Sequence, residues 1–288
     1  MSETLNHDGL SADWRAWLQH NLARGCSHRT ILEAMISGGV DALVAARALV
    51  NTLEPNSVAV SSERPSTAQP FLSTRLASGN RIDLGDIEAR LITRLVRPDL
   101  AVFENVLSAE ECEELIQLSR HKLERSTAIN KQTGKADVIA ERTSEGTSFQ
   151  RGEHPLIKRI DARLGRLMNW PVENGEGIQI LRYRPGGEYR PHFDFFPPAD
   201  PGSAAHMAIG GQRVATLVMY LNDVEQGGAT AFPDVGLSVL PRQGCAVYFA
   251  YTGPFSQVDP LSLHAGLPVI AGEKWIATKW LRQQRYGD

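Results

Sequence analysis

The chain has 288 residues, with 30 Lys and Arg against 33 Asp and Glu, a net charge of -3 and 42% hydrophobic residues. That length accommodates one large core plus an appendage, and the near-neutral charge gives no electrostatic reason to expect nucleic acid or an anionic membrane as a partner. Cys26, Cys112 and Cys245 are odd in number and lack CxxC spacing, which argues against a disulfide framework or a structural zinc site. A reducing, cytoplasmic location is expected, since "MSETLNHDGLSADW" offers no basic start or apolar stretch and no run of 18 apolar residues occurs.

Residues 1–53 read as a small N-terminal helical unit of two or three short helices. Trp14, Trp17, Leu18 and Leu22 fall on one stripe, and "TILEAMISGGVDALVAARALV" continues the spacing around a Gly38-Gly39 break. The Ser- and Pro-rich stretch 54–70 reads as a linker. The main domain is expected over 71–288. There "LSAEECEELIQLSR" starts with Ser108 and Glu111 spaced as a capping box, and a second helix is expected from Pro155 to Met168. From Gly177 the signals become strands: "GIQILRY", "RVATLVMYLND", "GCAVYFAY" and "KWIATKWLRQ" are β-branched and aromatic, with turn clusters between them. Helices followed by many short strands predict a mainly β fold, an antiparallel sandwich or barrel buttressed by helices.

Within "EYRPHFDFF", residues i and i+2 of a strand share a face, so His192 and Asp194 can offer two ligand atoms to one ion. The triplet alone equally suits a hydrogen-bonded pair on a sheet edge. His264 in "DPLSLHAGLPV" adds a second imidazole, and two imidazoles with one carboxylate form the facial ligand set of non-haem iron(II). Zinc hydrolysis uses similar ligands, but no HExxH helix is present. In "GEKWIATKW", alternation puts Lys274, Ile276, Thr278 and Trp280 on one face, so Lys274 points inward, where a cosubstrate carboxylate would pair it. Lys279, on the other face, is expected at the solvent.

The segments "LRYRPGGEYRPHFDFF", "RVATLVMYLNDVEQGGATAFP" and "PLSLHAGLPVIAGEKWIATKW" resemble the catalytic region of the prolyl 4-hydroxylase branch of the 2-oxoglutarate and iron(II) dependent dioxygenases, over residues 98–285. Ligand triplet, distal histidine and lysine occur in the family's order, with ten positions from His264 to Lys274. The resemblance implies a double-stranded β-helix, a jelly roll with supporting helices. It implies that His192, Asp194 and His264 hold Fe(II), and that Lys274, assisted by Tyr183 and Thr216, binds 2-oxoglutarate. Tyr189 matches a family tyrosine near the iron, and a turn or bulge at "PGG" or Pro191 must re-aim it, because alternation puts it opposite His192. Arg142, Ser144 and Glu176 match positions that contact a peptide, and Trp280 matches a tryptophan that lines the substrate pocket, with core packing as its alternative role. The stretch 126–149 resembles the family's mobile loop and following strand. A family histidine two residues after the tryptophan is replaced here by Arg282.

The implied activity is hydroxylation of a prolyl residue in a protein or peptide, using O2 and 2-oxoglutarate, which is decarboxylated to succinate and CO2, with ascorbate a candidate reductant. The alternatives are hydroxylation of a free amino acid or other small molecule, and a non-catalytic 2-oxoglutarate sensor or binding module. No nucleic acid or membrane partner is expected. Oligomeric state and the role of the N-terminal helices stay open.

Overall fold

Runs such as "RVATLVMY" and "KWIATKWLR" are too apolar for strands with one wet face, and they lie at the centre of a sheet covered on both sides. The structure, a computed structural model, describes residues 10–23, 28–41, 44, 45, 48, 49, 75–130, 133–252 and 258–287. The chain divides into two compact units, Met1–Ala68 and Gln69–Asp288.

The larger unit contains a nine-stranded antiparallel sheet. Its spatial order is Arg81–Asp83, Glu88–Leu95, Leu100–Glu104, Ala246–Ala250, Arg213–Tyr220, Lys274–Arg282, Gly175–Tyr183, Glu145–Phe149 and Glu124–Arg125. A four-stranded antiparallel sheet, in the order Leu237–Val239, Thr230–Phe232, His264–Gly266 and Tyr189–His192, packs against it. Alternate residues of Arg213–Tyr220 serve two cores. Ala215, Leu217 and Met219 join Cys112, Leu115, Leu156 and Ile160 of the supporting helices, whereas Val218 and Tyr220 join Phe232 and Val239 of the smaller sheet. Burying such a side chain contributes about 1.5–3 kcal/mol, so both faces of this strand stabilise the fold. This is the jelly roll with helical support that the resemblance implies.

Helix Ala109–Ser119 starts with the expected capping box: Glu111 N donates to Ser108 Oγ at 3.2 Å, and Ser108 N donates to Glu111 Oε2 at 3.0 Å. Helix Pro155–Leu167 follows His154 as N-cap, with Met168 as C-cap. Arg163 ties the two helices together by donating to Glu111 Oε2 at 2.6 Å and to Asp86 Oδ2 at 2.6 Å.

The structure differs from expectation in three places. The strands Arg81–Asp83, Glu88–Leu95 and Leu100–Glu104 add an edge that sequence signals did not reveal, because in Glu88–Leu95 only Ala89 is fully buried. The strand holding His192 ends at that residue, so Asp194 lies in a bend beyond the ladder. Lys279 does face away from Lys274, but that side of the sheet is covered by a helix rather than solvent; its Nζ donates to Asp161 Oδ1 at 2.7 Å, and both side chains are 3% exposed.

In the smaller unit, helices Ala12–Ala23 and His28–Ser37 pack around Leu10, Leu18, Ile31, Met35, Ala45 and Ala48, and a turn at Gly38-Gly39 ends the second helix. Trp17 is exposed, edge-on to Trp14. Residues 54–70 lie outside the described residues, as does Cys26. Cys112 and Cys245 are buried free thiols. Among the described residues no helix is long and apolar enough to cross a membrane.

Candidate active site

His192 closes one strand of the smaller sheet and His264 opens its neighbour, directly opposite in register. Opposed residues of antiparallel strands project to the same side, which brings the two imidazole centroids to 4.3 Å. Each ring is oriented by its own chain: His192 Nδ1 lies 2.9 Å from Arg190 O, and His264 Nδ1 lies 3.0 Å from Ser262 O. A carbonyl only accepts, so both Nδ1 atoms carry the proton and both Nε2 lone pairs face the gap, as metal ligation requires. Into that gap reaches Asp194, with Oδ1 3.6 Å from His192 Nε2 and Oδ2 3.6 Å from His264 Nε2. One ligand atom from each of the three lies within 4.8 Å of the others.

The surroundings set the protonation states that a cation needs. Burial, with the neighbouring His192, pushes His264 down to about 4 against the opposing pull of Asp194, leaving a neutral imidazole. Burial would raise Asp194, but His264, His192 and Arg213 outweigh it and hold the carboxyl below its ordinary range. Phe249 and Phe232, with ring centroids 4.5 and 5.9 Å from that of His264, close off one side.

Lys274 opens the long strand Lys274–Arg282 opposite Tyr183 and is 2% exposed. Its Nζ lies 5.5 Å from the Tyr183 ring centroid and 5.9 Å from that of Tyr220, and among the described residues no carboxylate or other acceptor bonds it. Burial alone pulls its pKa down to about 7. A buried, unpaired ammonium is costly, and an anion that entered the pocket would relieve it. Burial raises Tyr183 as well, opposed by Arg142 and by a hydrogen bond with Ser144, so its phenol stays protonated.

Tyr189 stacks on His192 with centroids 3.5 Å apart and 19° between planes. A bulge explains this: between the pairs His264↔His192 and Gly266↔Tyr189 one strand advances two residues and the other three, which turns Tyr189 to the ligand side. Arg142 lies over the Tyr189 ring at 4.9 Å and donates to Thr127 O, Gln179 Oε1 and Ser144 Oγ, all neutral acceptors. Glu176 is differently placed, since Arg213 holds both its oxygens at 2.6 and 2.9 Å and Arg282 approaches at 3.0 Å. Trp280 packs under the Arg213 guanidinium, 4.0 Å from its centroid. Thr216 donates to Asp194 Oδ2 at 2.7 Å and lies 3.2 Å from Tyr251 Oη. Sequence reasoning missed Arg213, whose Nη1 donates to Asp194 O at 3.3 Å, and Tyr251. A lone arginine opening an otherwise apolar strand was the only signal for Arg213, and Tyr251 carries the same local pattern as any core aromatic.

The model of the 2OG-Fe(II) oxygenase superfamily matches residues 178–282, which span the triad and Lys274. Probable prolyl 4-hydroxylase 10 of Arabidopsis thaliana is 35% identical over 283 residues, covering 92% of this chain and 96% of the relative. The chain belongs to the prolyl 4-hydroxylase-like 2OG-Fe(II) oxygenases. Another relative of this 2OG-Fe(II) oxygenase, probable prolyl 4-hydroxylase 3 of the same plant, is 41% identical over 208 residues, covering 66% of this chain and 71% of the relative. Among solved structures, the viral collagen prolyl hydroxylase of Paramecium bursaria Chlorella virus-1, as its 2OG complex, aligns with a TM-score of 0.50 and 32% identity over 64% of this chain and 95% of that one. Oxygenases of this family use Fe(II), 2-oxoglutarate and O2. The donor set here fits them: two imidazoles whose Nδ1 atoms are held by backbone carbonyls and a carboxylate suit Fe(II), and the unpaired Lys274 suits a carboxylate of the cosubstrate.

Proposed function

We propose that this oxygenase hydroxylates a prolyl residue of a protein or peptide. One O2 is consumed; one oxygen atom enters the C–H bond as hydroxyl, and the other leaves in succinate as 2-oxoglutarate is decarboxylated to CO2. The observation that carries the reading is the meeting of the His192, Asp194 and His264 ligand atoms, in a chain that also buries an unpaired Lys274 and that a probable prolyl 4-hydroxylase matches nearly end to end. When bound, iron with 2-oxoglutarate and O2 supplies the oxidant for an unactivated C–H bond, and the protein supplies binding and orientation.

In this reading His192, Asp194 and His264 hold the iron, and Lys274 with Tyr183 grips the distal carboxylate of 2-oxoglutarate. Tyr189, stacked on His192, shields one flank from water. Arg142 already presents a buried guanidinium held by neutral acceptors, which supports a role in binding peptide carbonyls together with Ser144. Glu176 and Trp280 act through Arg213, which both of them touch. The free thiols of Cys112 and Cys245 support a reducing, cytoplasmic setting, and ascorbate is the reductant proposed for it.

Intact-mass measurement of candidate proteins, with and without enzyme, Fe(II), 2-oxoglutarate and ascorbate, tests this: the substrate gains one oxygen atom, placed on proline by fragmentation. Turnover of free proline with none of proline-containing peptides would select small-molecule hydroxylation. Absence of 2-oxoglutarate consumption with every substrate would select a binding module.

A further inference from the structure

Asp194 is the one member of the triad that no strand holds. The two histidines sit in adjacent strands and fix each other by register, whereas Asp194 lies in a bend two residues past the end of its strand. Its orientation comes from outside, from Arg213–Tyr220, an interior strand of the nine-stranded sheet. Arg213 Nη1 donates to the Asp194 carbonyl at 3.3 Å, and Thr216 Oγ1 donates to the carboxylate Oδ2 at 2.7 Å.

A threonine hydroxyl has one proton, and here the carboxylate takes it. The second contact of the same oxygen, at 3.2 Å to Tyr251 Oη, is therefore a bond in which tyrosine donates and threonine accepts. Thr216 is wholly buried and Tyr251 1% exposed, so no water competes and the two bonds polarise each other in one direction, from tyrosine through threonine to aspartate. The same count excludes a different role: a carboxylate of 2-oxoglutarate accepts hydrogen bonds and cannot donate one, and Thr216 has no further proton to give it.

Resting on the reading of His192, Asp194 and His264 as the iron ligands, we infer that Thr216, backed by Tyr251, is a positioning pair that fixes the carboxylate plane of Asp194 and so sets metal affinity, instead of contacting the cosubstrate. Groups that hydrogen-bond a metal ligand from outside typically change metal affinity by about 10–100-fold when removed.

The test measures Mn(II) binding to metal-free full-length protein by electron paramagnetic resonance, without cosubstrate, and then 2-oxoglutarate affinity at saturating metal. Thr216→Val, which keeps shape and removes the hydroxyl, is expected to weaken Mn(II) binding by about 10–100-fold, and Thr216→Ser to restore it. Tyr251→Phe weakens it by less. Because the tyrosine acts through the threonine, Thr216→Val/Tyr251→Phe is expected to be no worse than Thr216→Val alone. Cosubstrate affinity at saturating metal stays at the wild-type value in all four. Thr216→Val with wild-type Mn(II) affinity and weakened 2-oxoglutarate binding overturns the inference and makes Thr216 a cosubstrate contact. Additive effects of the two substitutions overturn the relay. Wild-type protein that takes up no Mn(II) overturns the ligand reading beneath it, a result distinct from any failure confined to the variants.

Discussion

Lys274→Met is expected to make the cosubstrate-free protein more stable while impairing its binding of 2-oxoglutarate. Lys274 is 2% exposed, and burial alone moves its pKa from 10.5 to about 7. At about 1.4 kcal/mol per pH unit, charged lysine is about 4–5 kcal/mol worse off in this pocket than in water. Methionine keeps most of the aliphatic stem and removes the charge, so a gain of about 2 kcal/mol survives imperfect repacking, or about 4–8 °C in melting temperature for a domain of this size. The pH dependence has a definite sign. Between about 7 and 10.5 the unfolded chain holds the lysine proton more tightly than the native one does, so wild-type stability rises with pH there. The advantage of the variant is thus full below pH about 7 and fades towards 10.5. A bound carboxylate restores the lysine proton, so 2-oxoglutarate binding takes up a proton above pH about 7, and the variant loses about 1.5–3 kcal/mol of affinity. Calorimetric melts from pH 6.5 to 10, with titrations of 2-oxoglutarate in two buffers of different ionisation enthalpy, read all three effects. A variant less stable than wild type at low pH, or one with unchanged cosubstrate affinity, would refute the reasoning.

His264→Ala is expected to abolish both stoichiometric iron binding and 2-oxoglutarate turnover, measured by metal analysis and succinate release; retained turnover removes it from the ligand set. Asp161→Ala leaves the Lys279 ammonium buried without its carboxylate and should cost about 3–5 kcal/mol in urea unfolding, whereas a loss below 1 kcal/mol would mean that the pair is solvated. Ser108→Ala removes half of the capping box and should cost about 1 kcal/mol by the same measurement, with metal affinity untouched.

Local signals carried much of the fold. Ser108 and Glu111 announced a helix start that needs only four residues of chain, and parity in "KWIATKW" put Lys274 and Ile276 on the inner face. The strand Glu88–Leu95 is not legible as one because solvent on one side lets charged residues such as Arg90 and Arg94 stand where an apolar pattern would mark a strand. Lys279 was misread for the opposite reason: parity gives the face, but only the position of the helix carrying Asp161 shows that this face is dry. At the site, the grouping of His192, Asp194 and His264 and the inward face of Lys274 were legible from residue type and order. The hydroxyl that orients Asp194 was not, because Thr216 approaches it from a strand distant in sequence and Tyr251 touches Thr216 from just past another, and nothing in the local sequence records either contact.

The strand Lys274–Arg282 carries two buried lysines five positions apart, hence on opposite faces, and each ammonium has a different setting: Lys279 an aspartate on the helix side, Lys274 the rings of Tyr183 and Tyr220 and no carboxylate of its own. A slip of one residue in the ladder would exchange the faces, burying the Lys279 charge away from Asp161 and aiming Lys274 into packed leucines and isoleucines. The ion pair behind the sheet therefore works as a key that fits one register only, and that register is the one that leaves the Lys274 ammonium buried without a carboxylate.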